Sequence, residues 1–159
     1  CKLITSNGGS VVNFGSNNVK GIFLGDMRNT NAAICALKIN IVNLKVIKPA
    51  VEKMLKADVD QFDFLHCTGI DTGSIIGVHA GLSGLNDLVW VGKAFDFSFR
   101  LSQNRTAPFN SYLSEATFFM LFEQAKFSIS QNQLMWEEKN FSYDNKARKV
   151  YCSKWWQEP

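Results

Sequence analysis

The sequence predicts an α+β fold: an α/β sandwich in which helices pack on a mostly antiparallel sheet. Three observations carry that prediction. Short β-prone runs come in pairs across glycine- and asparagine-rich turns, first at residues 9–14 and 19–24 around Gly15-Ser16-Asn17-Asn18. A stretch from Ala32 to Leu44 repeats its apolar positions every three or four residues, the period of a helix with one buried face. Strand-like and helix-like segments then interleave to the end of the chain, without an internal repeat, a low-complexity run or a linker.

Size and composition bound the answer. With 159 residues, 46% hydrophobic and 19% charged, the chain suffices for one domain with a real core and is too short for two. Residues 1–159 are therefore read as a single domain. The formal net charge of +3 neither demands nucleic acid nor excludes a polyanionic small ligand. The longest apolar candidate, residues 32–55, is broken by Lys38, Asn40, Asn43, Lys45, Lys48 and Pro49, so no membrane span is expected. Cys1, Cys35, Cys67 and Cys152 form no CxxC pair and are read as reduced, mostly buried thiols of a cytoplasmic protein. His66 and His79 are the only histidines, and no metal-ligand cluster surrounds either in sequence, which argues against zinc. The chain opens on Cys1 and shows no signal peptide, so it is read as starting inside a longer protein.

The elements follow in order. The first pair of runs is a β-hairpin. Thr30 or Asn31 caps the helix that carries Ala32, Ala33, Ala36, Leu37, Asn40, Ile41 and Leu44, and Pro49 bends or interrupts it before residues 50–55 resume as helix. A loop is expected at 57–61 and strands at 63–71, 74–80 and 88–91. Gly81-Leu82-Ser83-Gly84 makes a corner. Tyr112-Leu113 reads as a short strand, and Ser114 caps a helix from Glu115 to about Gln124, with Glu115 at its positive end. The tail, residues 134–156, holds further β-prone aromatic runs, including Val150-Tyr151 and Trp155-Trp156.

The densest punctuation falls on residues 69–101, GIDTGSIIGVHAGLSGLNDLVWVGKAFDFSFRL. After Gly92, Phe95, Asp96, Phe99 and Arg100 sit at helical spacing. With the upstream GGSVVNFGSNNVKGIFLGD, this stretch resembles the catalytic domain of class III nucleotidyl cyclases. That family has a GIxxG segment, a strand ending in WG or WxG, and a helix presenting Asn and Arg four residues apart. Details such as NDLVWVG, NTNAAICALKIN and the ending VYCSKWWQEP resemble one branch, the bacterial pyrimidine cyclases of the Pycsar antiphage systems. The resemblance covers nearly the whole chain, and it places the family's N-terminal strand ahead of Cys1.

The resemblance implies a ferredoxin-like cyclase fold and a specific reaction. The ribose 3′-hydroxyl of UTP or CTP would displace pyrophosphate from the α-phosphorus and close a 3′,5′-cyclic monophosphate, cUMP or cCMP, a second messenger of antiviral defence. It implies two Mn²⁺ or Mg²⁺ ions and a homodimer with composite sites at the interface, without nucleic acid. Carried over by position, Arg100 is the cation that meets charge growing on the α-phosphoryl group. Its alternative is an ordinary i,i+4 ion pair with Asp96. Asp96 stands where the family has Asn; an ionised carboxylate can only accept, whereas an amide can also donate. Asn17 stands at the family's second metal-binding Asp and brings an oxygen without charge, or is simply a turn residue. Lys93 would touch phosphate or base, or be solvated. Asn86 and Asp87 fall where base-reading groups sit, or are turn residues. Phe95 and Phe99 are read as core, Trp155 and Trp156 as core or dimer packing, and Asp71 and Thr72 as turn and interface residues. Three readings stay open: an active pyrimidine cyclase, a degenerate cyclase-homology domain that binds or dimerises without turnover, and a structural dimerisation domain.

Overall fold

The computed structural model describes residues 1–55, 65–80 and 87–159, the side chains of Leu55, Ala80 and Asp87 excepted. The expected loop at 57–61, the first residues of the 63–71 strand, the 81–84 corner and Asn86 lie outside the described residues.

A short helix, α1 (Lys2–Ser6), leads into a hairpin of β1 (Gly9–Phe14) and β2 (Val19–Phe23), paired from Gly9↔Phe23 to Phe14↔Val19. Helix α2 (Arg28–Val42) then buries Ala32, Ala33, Ala36, Leu37, Asn40 and Ile41, the face its period predicts. It begins earlier than expected. Thr30 does not cap it: the Thr30 hydroxyl accepts the Phe122 amide at 3.0 Å. Leu44 is exposed, because it belongs to a π-helical turn (Asn43–Ile47) whose wider winding takes it off the buried face. Helix α3 (Lys48–Leu55) continues directly, with Pro49 in its first turn, where a missing N–H is tolerated. Pro49 therefore does not interrupt the helical path.

The central sheet has the order β3 (Thr68–Ile70), β6 (Ser111–Ser114), β8 (Lys146–Ser153), β7 (Glu137–Tyr143). Only β3 and β6 run parallel. Strands β4 (Ile76–Ala80) and β5 (Asp87–Val91) form a separate antiparallel pair. Trp155 and Trp156, expected in a β-prone run, lie beyond β8 and outside any strand, where the Trp155 carbonyl accepts the Asn40 amide at 2.7 Å.

Alternation along β6 makes the sandwich. Leu113 points into a core with Leu37, Phe118, Trp136 and Tyr151, on the α2 side of the sheet. Tyr112 points the other way, into a core with Phe97, Leu101, Val150 and Cys152. The Ser114 hydroxyl accepts the Thr117 amide and caps α5 (Glu115–Phe119), as its position predicts. The expected single helix to Gln124 is instead α5 and α6 (Glu123–Lys126). Tertiary bonds force the break: Phe122 is tied to Thr30, and the Trp136 indole donates to the Ala125 carbonyl at 2.7 Å. All four cysteines are free, and Cys1 alone is exposed. Burial pushes the thiol of Cys67 up to about 12 and those of Cys35 and Cys152 up to about 11, toward the protonated form.

Candidate functional site

Helix α4 (Lys93–Ser102) carries most of the residues singled out in the sequence. It buries Ala94, Phe97 and Leu101, at i, i+3 and i+7, against the central sheet. Two glycines let it sit there. A Cβ on Gly69 of β3 would collide with the Ser98 carbonyl and lie 2.5 Å from the Ser102 amide nitrogen, so the helix backbone lies directly on the strand. A Cβ on Gly92 would lie 2.7 Å from the Ser74 carbonyl, so Gly92 lets the turn into α4 pass close to the segment ahead of β4.

With that face fixed, Lys93, Asp96 and Arg100 fall on one exposed stripe, spaced by three and four residues. The structure thus brings three of the expected residues together. The Asp96–Arg100 ion pair that the spacing suggests does not form. Asp96 Oδ2 accepts the Tyr143 hydroxyl at 2.6 Å, and among the described residues no carboxylate lies within 4.0 Å of the Arg100 guanidinium. Tyr143 packs edge-on against Phe97, with ring centroids 4.7 Å apart, and the Arg148 guanidinium lies 5.0 Å from the Tyr143 centroid and 5.5 Å from that of Phe97. The hydrogen bond to Asp96 holds the Tyr143 phenol above its ordinary pKa, so the hydroxyl keeps its proton and donates.

Phe95 and Phe99, read from the sequence as core, are instead half-buried on the third face of α4, because Ala94, Phe97 and Leu101 take the face on the sheet. The Lys20 ammonium of β2 lies 4.6 Å from the Phe95 centroid and 4.7 Å from that of Phe99, a paired cation–π contact that joins the hairpin to the helix. Lys20, Lys93, Arg100 and Arg148 bring positive charge to α4 and its neighbours, with Asp96 on the helix and Asp71 and Asp144 near Arg148 and Tyr143 as the opposing carboxylates.

Asn17 lies at the exposed tip of that hairpin, where its Oδ1 accepts the Asn18 amide at 3.0 Å. Among the described residues no three His, Cys, Asp or Glu side chains converge as a metal cluster would. Asp87 opens β5 opposite Ala80, at the far end of the β4–β5 pair. Four residues, Leu88 to Val91, separate it from Gly92 along the chain. Asp71 accepts its neighbour's amide, Thr72 N–H, at 2.8 Å, and burial pushes its carboxyl up, opposed by Ser114, Thr72 and Arg148.

Sequence reasoning missed Tyr143, Arg148 and Lys20. Tyr143 closes β7 just before Asp144-Asn145, both at positive φ (51° and 57°), the conformation of a type I′ turn. That turn was a readable hairpin signal, but nothing local to it points toward α4.

No family model matches the chain. It is similar to uridylate cyclases from Xanthomonas perforans (32% identical over 154 residues, 97% of this chain and 64% of that protein) and Burkholderia cepacia (31% over 153 residues, 96% and 63%). A third uridylate cyclase, from Rhodovulum sp. (strain MB263), is 26% identical over 159 residues, covering 99% and 66%. The chain therefore spans about two thirds of the length of these relatives. Among solved structures, it superposes on the guanylyl cyclase Cya2 with a TM-score of 0.75 at 13% identity, covering 99% of this chain and 76% of that one. The adenylyl cyclase CyaB from P. aeruginosa gives 0.67 at 17%, covering 96% and 74%. At those identities the structural likeness is one of fold.

Proposed function

This chain belongs to the class III nucleotidyl cyclase family, close to the pyrimidine cyclases, and from that premise we propose that it cyclises a pyrimidine nucleoside triphosphate, UTP or CTP. The bond that forms joins the ribose 3′-oxygen to the α-phosphorus, and the bond that breaks releases pyrophosphate. A role for the cyclic product as an antiviral messenger belongs to the same reading.

The observation that carries the proposal is the α4 stripe, with an Arg100 guanidinium that the described residues leave without an ion-pair partner. A phosphoryl group passing through substitution gathers charge on its equatorial oxygens, and a preplaced guanidinium stabilises that charge more than it stabilises the ground state. Lys93, two turns nearer the helix N-terminus, adds a second cation toward the triphosphate. Asp96 supplies an acceptor for a ribose hydroxyl, the one sugar group that can donate to it.

A two-cation centre of Mn²⁺ or Mg²⁺ would polarise the phosphates and the attacking hydroxyl. The described residues of one chain do not fit such a centre. Asn17 brings a neutral oxygen already engaged by Asn18, and no acidic cluster stands beside it. What the chain itself contributes is the cationic half of a site. A homodimer that sets this half against residues of a second copy is part of the proposal. It is supported by the β4–β5 pair, where Ile76, Val78, Leu88, Val89 and Val91 are all exposed.

Incubating the full-length protein with each of the four nucleoside triphosphates and Mn²⁺ tests the reading. A cyclic product from UTP or CTP is expected, and no cyclic product from any of the four would sink it. The second reading, a domain that binds nucleotide without turnover, is favoured by Asn17. Under it, Asn17→Asp combined with Asp96→Asn would create activity that the natural chain lacks.

A further inference from the structure

An acid and a base four residues apart on an exposed helix ordinarily pair with each other. In α4 they do not, and the reason lies 47 residues away. Tyr143 donates to Asp96 Oδ2 at 2.6 Å and so takes up the carboxylate that Arg100 would otherwise hold. The phenol has a defined direction, because its ring, at the end of β7, packs against both Phe97 and the Arg148 guanidinium, which also touch each other. Neither Arg100 nor Lys93 has a carboxylate within 4.0 Å among the described residues.

We propose that Tyr143 is a positioning residue: it draws Asp96 away from Arg100 and thereby keeps the guanidinium available to an anionic group of the substrate. The identity of that group, a phosphate of the nucleotide, rests on the cyclase reading; the diversion of Asp96 rests on geometry alone. The β7–β8 hairpin thus sets the charge state of the helix surface facing the substrate without touching the substrate itself. A hydroxyl is suited to this task. It is neutral and donates one proton, so it satisfies one carboxylate oxygen without itself carrying charge.

The test is a double-mutant cycle in the full-length protein, with UTP and Mn²⁺. Tyr143→Phe removes the hydroxyl and keeps the ring against Phe97. Asp96 then falls back on Arg100, and kcat/KM is expected to drop about twofold, the equivalent of the ~0.4 kcal/mol of one i,i+4 ion pair. In an Asp96→Asn background residue 96 cannot form an ion pair, and Tyr143→Phe is expected to change nothing further. Equal losses in both backgrounds would mean that Tyr143 merely braces the hairpin, and would overturn the proposal. A readout that needs no turnover is the Arg100 Nε–H resonance in a ¹H–¹⁵N spectrum. It is expected to shift with Tyr143→Phe in the natural chain and to stay put in the Asp96→Asn chain. If the natural protein cyclises no triphosphate, the cyclase reading fails while this resonance still decides the role of Tyr143. A resonance unmoved by Tyr143→Phe in the natural chain refutes that role.

Discussion

Arg100 and Asp96 show how far single residues can be read. Their spacing and their distance from Gly92 were enough to single both out. What each one touches was not legible, because the partner of Asp96 comes from another element. An exposed ion pair would have made Arg100 a bland surface residue, and its absence is what gives the guanidinium chemical interest. If Arg100 meets transition-state charge, Arg100→Ala should lower kcat about 10²- to 10³-fold, the usual loss of one preorganised donor, in a steady-state assay with UTP. Arg100→Lys should recover only part of it, since an ammonium lacks the planar fork. His66 makes a different prediction. Its Nε2 lies 2.9 Å from Asn40 Oδ1, and burial lowers its pKa from 6.5. The folded chain therefore resists the proton that the unfolded chain takes up near pH 6.5, so stability should fall as pH drops below 6.5 and level off above it. Thermal unfolding from pH 5 to 8 checks this, and His66→Gln should flatten the slope.

At the scale of elements, local signals placed most strands and helices, and tertiary contacts moved their ends. The β1–β2 hairpin and the Ser114 cap were readable because turn and cap chemistry is local. The division into α5 and α6 was not, since it depends on bonds from Phe122 to Thr30 and from Trp136 to Ala125. Phe95 and Phe99 were assigned to the core because they are apolar. The face that packs is set by Gly69, which lets the backbone of α4 descend onto β3 at one angle. Gly69→Ala should therefore cost about 3 kcal/mol or more, because the Cβ meets backbone atoms that have nowhere to go. Gly73→Ala, whose Cβ would lie 3.2 Å from that of Ala94, should cost less. Urea denaturation of the two variants side by side separates them. Trp136 is 2% exposed and hydrogen-bonded, so Trp136→Ala should lose about 3–5 kcal/mol by the same measurement.

At the scale of the whole molecule, the β4–β5 pair stands apart from the central sheet and exposes apolar side chains along both strands, with Ile76 at 67% and Val91 at 56%. A two-stranded ribbon of that kind is only marginally stable by itself, and the proposed homodimer would bury it against a second copy. If the proposed homodimer uses this ribbon, replacing Ile76 and Val91 together by Lys should move the protein from dimer to monomer in sedimentation velocity. It should also abolish cyclisation while leaving the far-UV spectrum unchanged, because neither side chain contributes to the buried cores. The fold class, most of the strands and helices, the absence of a long apolar helix among the described residues and the candidate residues on α4 are legible in the sequence alone. Each is written in local spacing: period two, period three to four, caps and turns. The tertiary structure decided the rest. It set which face of α4 packs, that Tyr143 claims Asp96, and that Lys20 sits over two phenylalanine rings. Those facts join residues distant along the chain, and such contacts depend on how closely two backbones approach, which spacing within one segment does not encode.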